Sequence, residues 1–214
     1  MNNLIKAVIF DMDGVLIEAK DWHYEALNSA LSIFGHKISR YDHLNTYDGL
    51  PTVMKLEMLS KEKGLPRELH DFINDLKQKF TIEQIFANCK PTFIHEYALA
   101  KLKSEGYKIG CASNSIRDSV EVMLNKSNLY KYMDVIFTAQ DVDKTKPSPE
   151  MYDLTISKLG LTPGQCLIVE DNENGIIAAK ASGANVMIVN DVDEVNISNI
   201  KNRISSINKL KVKK

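Results

Sequence analysis

Phe10-Asp11-Met12-Asp13-Gly14-Val15, at the end of the apolar run 5–10, is the stretch from which the fold of this chain can be read. A short, nearly continuous apolar run that ends in acid residues suits a strand buried on both faces. In extended backbone Asp11 and Asp13 point to the same side. Two unpaired carboxylates held that way repel each other and add nothing to stability. A divalent cation resolves the conflict, and hard carboxylate oxygens suit magnesium. Gly14 permits a sharp departure from the strand. Taken alone, Asp-x-Asp-Gly also reads as a surface turn after an edge strand.

Similar apolar runs recur at 108–112, 134–138, 165–169 and 185–189. Helix-like segments precede them at 95–104, 116–126, 149–159 and 175–181, and Gly106, Gly160 and Gly183 sit where helices should stop. Alternating helix and buried strand predicts an α/β fold, a doubly wound, parallel, Rossmann-like sheet. Functional residues of such sheets sit at the carboxyl ends of strands, and Asp11, Ser113 and Glu170-Asp171 each follow a predicted strand. Residues 20–86 break the rhythm and read as helices near 22–33, 51–63 and 66–85. The expected organisation is a core of 1–17 and 88–214 with an inserted helical cap domain, 18–87. The last stretch, with Lys201, Arg203, Lys209, Lys211, Lys213 and Lys214, reads as a solvated, fraying end.

Composition narrows the function classes. The 214 residues are 44% hydrophobic and 26% charged, and 27 Lys+Arg against 28 Asp+Glu leave a net charge of -1. That balance gives no sign of a nucleic-acid or anionic-membrane partner. No apolar run approaches the ~18 residues that span a bilayer, and the N-terminal run is too short for a signal peptide and lacks a cleavage site. A cytoplasmic protein is expected. Cys89, Cys111 and Cys166 show no Cys-x-x-Cys spacing; Cys111 and Cys166 lie in apolar runs and read as small core residues.

Three further segments carry chemistry. Val169-Glu170-Asp171-Asn172-Glu173-Asn174-Gly175 puts paired acid at a strand end before a helix rich in small residues, although Asp and Asn also serve as plain helix caps. Ala112-Ser113-Asn114-Ser115 offers hydroxyl and amide donors between a strand and a helix, a place suited to phosphate oxygens or to simple capping. In Lys144-Thr145-Lys146-Pro147-Ser148-Pro149-Glu150, Pro149 reads as the first residue of a helix, and Lys146 is held before a rigid proline. A lysine there can neutralise phosphate and carboxylate charge.

In order and near spacing, these four segments resemble the haloacid dehalogenase-like hydrolase superfamily, in particular the capped subgroup of β-phosphoglucomutase and small sugar phosphatases. The resemblance runs from residue 5 to about 189. It implies a Mg²⁺-dependent phosphatase acting on a small phosphorylated metabolite. Asp11 resembles the nucleophile that forms an aspartyl-phosphate, and Asp13 the general acid and then base. Ser113, with Asn114 beside it, resembles the phosphate-binding residue, and Lys146 the lysine that stabilises the anionic intermediate. Asp171 resembles a metal ligand, with a carboxylate oxygen of Asp11 and the backbone carbonyl of Asp13, and Glu170 joins through the metal's shell. In the cap, His23, Asp48 and Thr52 are the residues expected to face substrate, with Lys55 following on a presumed helix; solvated helix surface and turn chemistry are the other reading of these positions.

The departures favour hydrolysis. Where β-phosphoglucomutases carry basic residues around the cap-loop glycine, this chain has Asp48 and Thr52, which removes the grip a mutase needs on a second phosphate. A phosphomutase remains the alternative, followed by a phosphonate hydrolase using Lys55 as a Schiff base and a catalytically silent binding module. Asp13 and Asp171 speak against a metal-free carbon–halogen hydrolase. A monomer is expected.

Overall fold

The computed structural model describes residues 4–47 and 49–212, so Asp48 lies outside the described residues. The first strand, β1 (Ala7–Phe10), is buried along its whole length. The chain then turns sharply. Met12 O accepts from the amides of Leu16 and Ile17, at 3.0 Å each, and Gly14 donates to Ile17 O at 2.7 Å. Gly14 has φ +90, a conformation that glycine adopts without the clash a side chain would cause.

The chain divides into two compact units, one running through Glu18 and resuming at Lys90, the other Ala19–Cys89. The second unit is helical. It contains α1 (Lys20–Ser32), α2 (Arg40–Asp42), which runs on into a wide π turn at His43–Tyr47, α3 (Thr52–Lys63) and α4 (His70–Asn88). Leu31, Leu56, Leu59 and Ile73 sit fully buried at its centre. Asn28 gives α1 a second hold on the chain: its side chain donates to Ile38 O at 3.0 Å and accepts from Ile38 N at 2.9 Å. A buried polar side chain is tolerated when its partners are met in this way.

The first unit continues with α5 (Phe93–Ser104), β2 (Lys108–Ala112), α6 (Arg117–Lys126), β3 (Val135–Phe137) and α7 (Glu150–Lys158). It ends with β4 (Cys166–Glu170), α8 (Glu173–Ala181), β5 (Asn185–Ile188) and α9 (Ile197–Val212). All strand pairs are parallel, in the order β3-β2-β1-β4-β5. β1 is central, and the chain builds one side of the sheet before crossing to the other. Ala7 and Ile9 share one buried cluster with Met151, Tyr152, Ala178 and Ala179 of α7 and α8. Val8 and Phe10, equally buried, alternate to the opposite face.

Three expectations need correction. The C-terminal stretch is not a fraying end through 197–212: it is helix α9, with Ile200, Ile204 and Ile207 buried and Asn196 accepting the Asn199 amide at 3.0 Å. The four-then-three spacing of Ile200, Ile204 and Ile207 carries the helical signal, masked by the surrounding lysines. Pro149 precedes α7 rather than opening it. Glu170 is the last residue of β4, not the first beyond it. Gly106, Gly160 and Gly183 stand just past helix ends with φ of +84, +68 and +75.

Candidate active site

Strand register assembles the site. Phe10 pairs with Cys111 on one side and Val169 on the other, so Asp11, Ala112 and Glu170 lie abreast at the carboxyl ends of three adjacent strands. This is the switch point where ligands of doubly wound sheets bind. Lys146, 3% exposed, comes from the loop before α7 and inserts its ammonium among them. Its Nζ donates to Asp11 Oδ1 at 2.6 Å, Glu170 Oε1 at 2.6 Å and Ala112 O at 2.8 Å. Three acceptors thus meet its three N–H donors.

Asn114 fixes the loop that carries this lysine. Its side chain accepts from Lys146 N at 3.1 Å and donates to Lys146 O at 3.2 Å. Ser113 and Ser115 turn to the other acid: Ser113 Oγ donates to Asp13 Oδ2 at 3.3 Å and Ser115 Oγ at 2.8 Å. Ser113 Oγ also accepts the Ser115 amide at 3.0 Å. Glu170 is anchored on both oxygens. Oε1 takes Lys146 and the Tyr152 hydroxyl, and Oε2 faces the amides of Asp171 at 3.2 Å and Asn172 at 3.5 Å. A Cβ on Gly175, in the first turn of α8, would sit 1.9 Å from Glu170 Oε1, so the close approach demands glycine.

The site is overloaded with negative charge. Burial raises the Asp11 pKa well above its ordinary value; Lys146 opposes this, while Glu170, Asp171 and Asp13 add to it. Burial alone would discharge Lys146, but Asp11 and Glu170 outweigh it and raise its pKa instead. Asp11, Glu170 and Asp171 bring ligand oxygens within 4.8 Å of one another. Several carboxylates converging beside a single lysine is a donor set that fits a hard divalent cation.

Seven sequence-predicted residues therefore converge in the first unit: Asp11, Asp13, Ser113, Asn114, Lys146, Glu170 and Asp171. His23, Thr52 and Lys55 belong to the second unit. There His23 Nδ1 lies 3.4 Å from Lys77 Nζ, Lys55 and Lys77 are both buried, and Thr52 opens α3. Sequence reasoning did not single out Ser115, the closer hydroxyl to Asp13, although it stands in the quoted motif. It also missed Tyr152, which no motif contains.

A five-stranded parallel sheet with a carboxylate pair, a hydroxyl loop, a lysine and a second acid pair at its carboxyl ends defines a class of phosphoryl-handling hydrolases. The chain belongs to the haloacid dehalogenase-like hydrolase family, whose model matches residues 8–189, and it is a phosphatase. The Bacillus subtilis protein YhcW, provisionally assigned as a phosphatase, is 31% identical over 195 residues, covering 87% of this chain and 84% of the relative. A Thermotoga maritima phosphatase named for phosphorylated carbohydrates is 29% identical over 185 residues, covering 84% of this chain and 82% of its own length. Among solved structures, a β-phosphoglucomutase from Clostridium difficile superposes with TM-score 0.82 over 95% of this chain and 98% of that one. At 21% identity that likeness speaks for the fold. Among the described residues no helix is long and apolar enough to cross a membrane.

Proposed function

We propose that this protein hydrolyses a small phosphate monoester of a sugar, polyol or amino alcohol, with Asp11 as nucleophile. The observation that carries the reading is the Lys146 ammonium bridging Asp11 and Glu170 beside the three-carboxylate cluster. A carboxylate attacking a phosphate dianion faces repulsion, and a fixed cation offsets it. Asp11, Asp171 and Glu170 are the side chains that would hold Mg²⁺, with the Asp13 backbone carbonyl in reach by the family resemblance. When bound, the ion supplies charge neutralisation of the phosphoryl oxygens.

Asp11 forms the bond to phosphorus as the ester P–O bond breaks. The leaving alkoxide takes a proton from the Asp13 carboxyl. Asp13, now a carboxylate, takes a proton from the water that hydrolyses the aspartyl-phosphate, and inorganic phosphate and free Asp11 result. Ser113 and Ser115, both donating to Asp13, hold that carboxyl group in place between the two steps. The Thermotoga relative's name supports a phosphorylated carbohydrate as the substrate type, and His23, Asp48 and Thr52 are proposed to sort among such substrates.

The test is direct. With a ³²P-labelled sugar phosphate and Mg²⁺, rapid acid quenching traps label on the wild-type chain, and chelation by EDTA stops turnover. Asp11→Asn lowers kcat by about 10³-fold or more and traps no label. Turnover by Asp11→Asn at a wild-type rate refutes the assignment.

A further inference from the structure

Tyr152 lies outside every motif, yet it is fully buried on α7, six residues beyond Lys146. Its hydroxyl donates to Glu170 Oε1, the same oxygen that Lys146 Nζ reaches at 2.6 Å. Its ring lies against that same Nζ, with the centroid 4.8 Å away. We propose that Tyr152 is a positioning residue for the hydrolysis described above: it shares Glu170 with Lys146 and so keeps the ammonium directed at Asp11. The inference rests on that functional reading.

The reason lies in competition for one ammonium. Lysine is a point charge on a flexible four-carbon stem and takes its place from its partners. Here two anions, Asp11 and Glu170, pull on it equally closely at 2.6 Å. Glu170 cannot swing aside. Its Oε2 is met by backbone amides and Gly175 leaves no space behind the carboxylate. A hydroxyl donating to Oε1 occupies a lone pair on that oxygen and spreads its charge, which weakens its hold on Nζ. The ring face adds an attractive surface for the cation, 4.8 Å from Nζ. The ammonium then remains available to Asp11 and to the oxygens of an arriving phosphate.

An aromatic residue that merely fills space makes the opposite prediction, because phenylalanine fills the same volume. Tyr152→Phe keeps the ring and deletes the hydroxyl. With p-nitrophenyl phosphate at saturating Mg²⁺, kcat for Tyr152→Phe falls about tenfold, the order expected for one hydrogen bond to a charged group. KM stays within about twofold, since the contact matters where charge develops. The effect is coupled: in a Glu170→Gln background, Tyr152→Phe changes kcat by less than about twofold.

A kcat within twofold of wild type overturns the proposal. So does a change confined to KM, or an equal loss in both backgrounds. A folding defect from Tyr152→Phe would enter both backgrounds alike, so the double-mutant comparison decides even if melting temperature drops. Asp11→Asn separates the two levels. An inactive Asp11→Asn beside a neutral Tyr152→Phe removes only the positioning role, whereas an active Asp11→Asn removes the functional reading itself.

Discussion

Lys146 is a charged side chain with almost no access to water, and it stays charged because two carboxylates at 2.6 Å outweigh the burial. Removing the charge leaves both acids buried without their counterion, a situation that typically costs about 3–5 kcal/mol. Lys146→Met, close in length and apolar, is therefore expected to lower thermal stability. It should also cut kcat by about 10²–10³-fold, as for loss of a fixed transition-state charge. Circular dichroism melts and steady-state kinetics on the same preparation check both. A Lys146→Met enzyme with near-normal kcat would show that the ammonium does not act in the chemical step. The pairing of Asn114 with the Lys146 backbone has a related consequence: part of what the hydroxyl–amide loop does is hold the lysine's loop in place.

At the scale of elements, the junction between β4 and α8 is the tightest point of the site. Glycine in a helix is ordinarily a cost of about 1 kcal/mol against alanine, so Gly175→Ala would stabilise α8 if nothing stood in the way. The added methyl, however, would meet the Glu170 carboxylate at 1.9 Å, and that carboxylate is held by Lys146, Tyr152 and two amides. Overpacking of this kind costs about 1–3 kcal/mol and moves the side chains involved. Gly175→Ala is expected to melt lower than wild type and to lose about tenfold or more in kcat. A variant that melts higher, with full activity, would mean that Glu170 relaxes freely and is not an anchor.

Across the whole core unit, His95 ties the start of α5 to the loop after β5. Val192 O can only accept, so Nε2 carries the proton and donates to it at 2.8 Å, while Nδ1 accepts from Thr92 Oγ1 at 2.8 Å. Burial lowers the His95 pKa below the ordinary 6.5, with Val192 and Asp193 opposing. The unfolded chain therefore binds a proton at a pH where the folded chain does not. The contribution of neutral His95 is complete above about pH 6.5 and is lost as pH falls through the lowered folded-state value. Melting temperatures taken from pH 8 to pH 5 should decline for wild type, and the decline should be shallower for His95→Gln. A steeper decline in His95→Gln would contradict the assignment.

Periodicity and punctuation were enough to specify the parallel sheet, its flanking helices, the helical insertion and the four motif segments, because burial on both strand faces and left-handed glycines leave a local trace. The positions of the candidate-site acids were legible for the same reason: they stand at strand ends, and strand ends are marked by the switch from apolar to charged residues. Helix α9 left a trace in its isoleucine spacing, but lysine content obscured it. Tyr152, Ser115 as the partner of Asp13, and the need for Gly175 left none that could be read. Each depends on distances between segments far apart in the chain, which strand register and helix docking set and which no local pattern encodes. The order of strands is likewise a tertiary decision. It is the central place of β1, between β2 and β4, that brings Asp11, Ala112 and Glu170 abreast and gives Lys146 three acceptors at once.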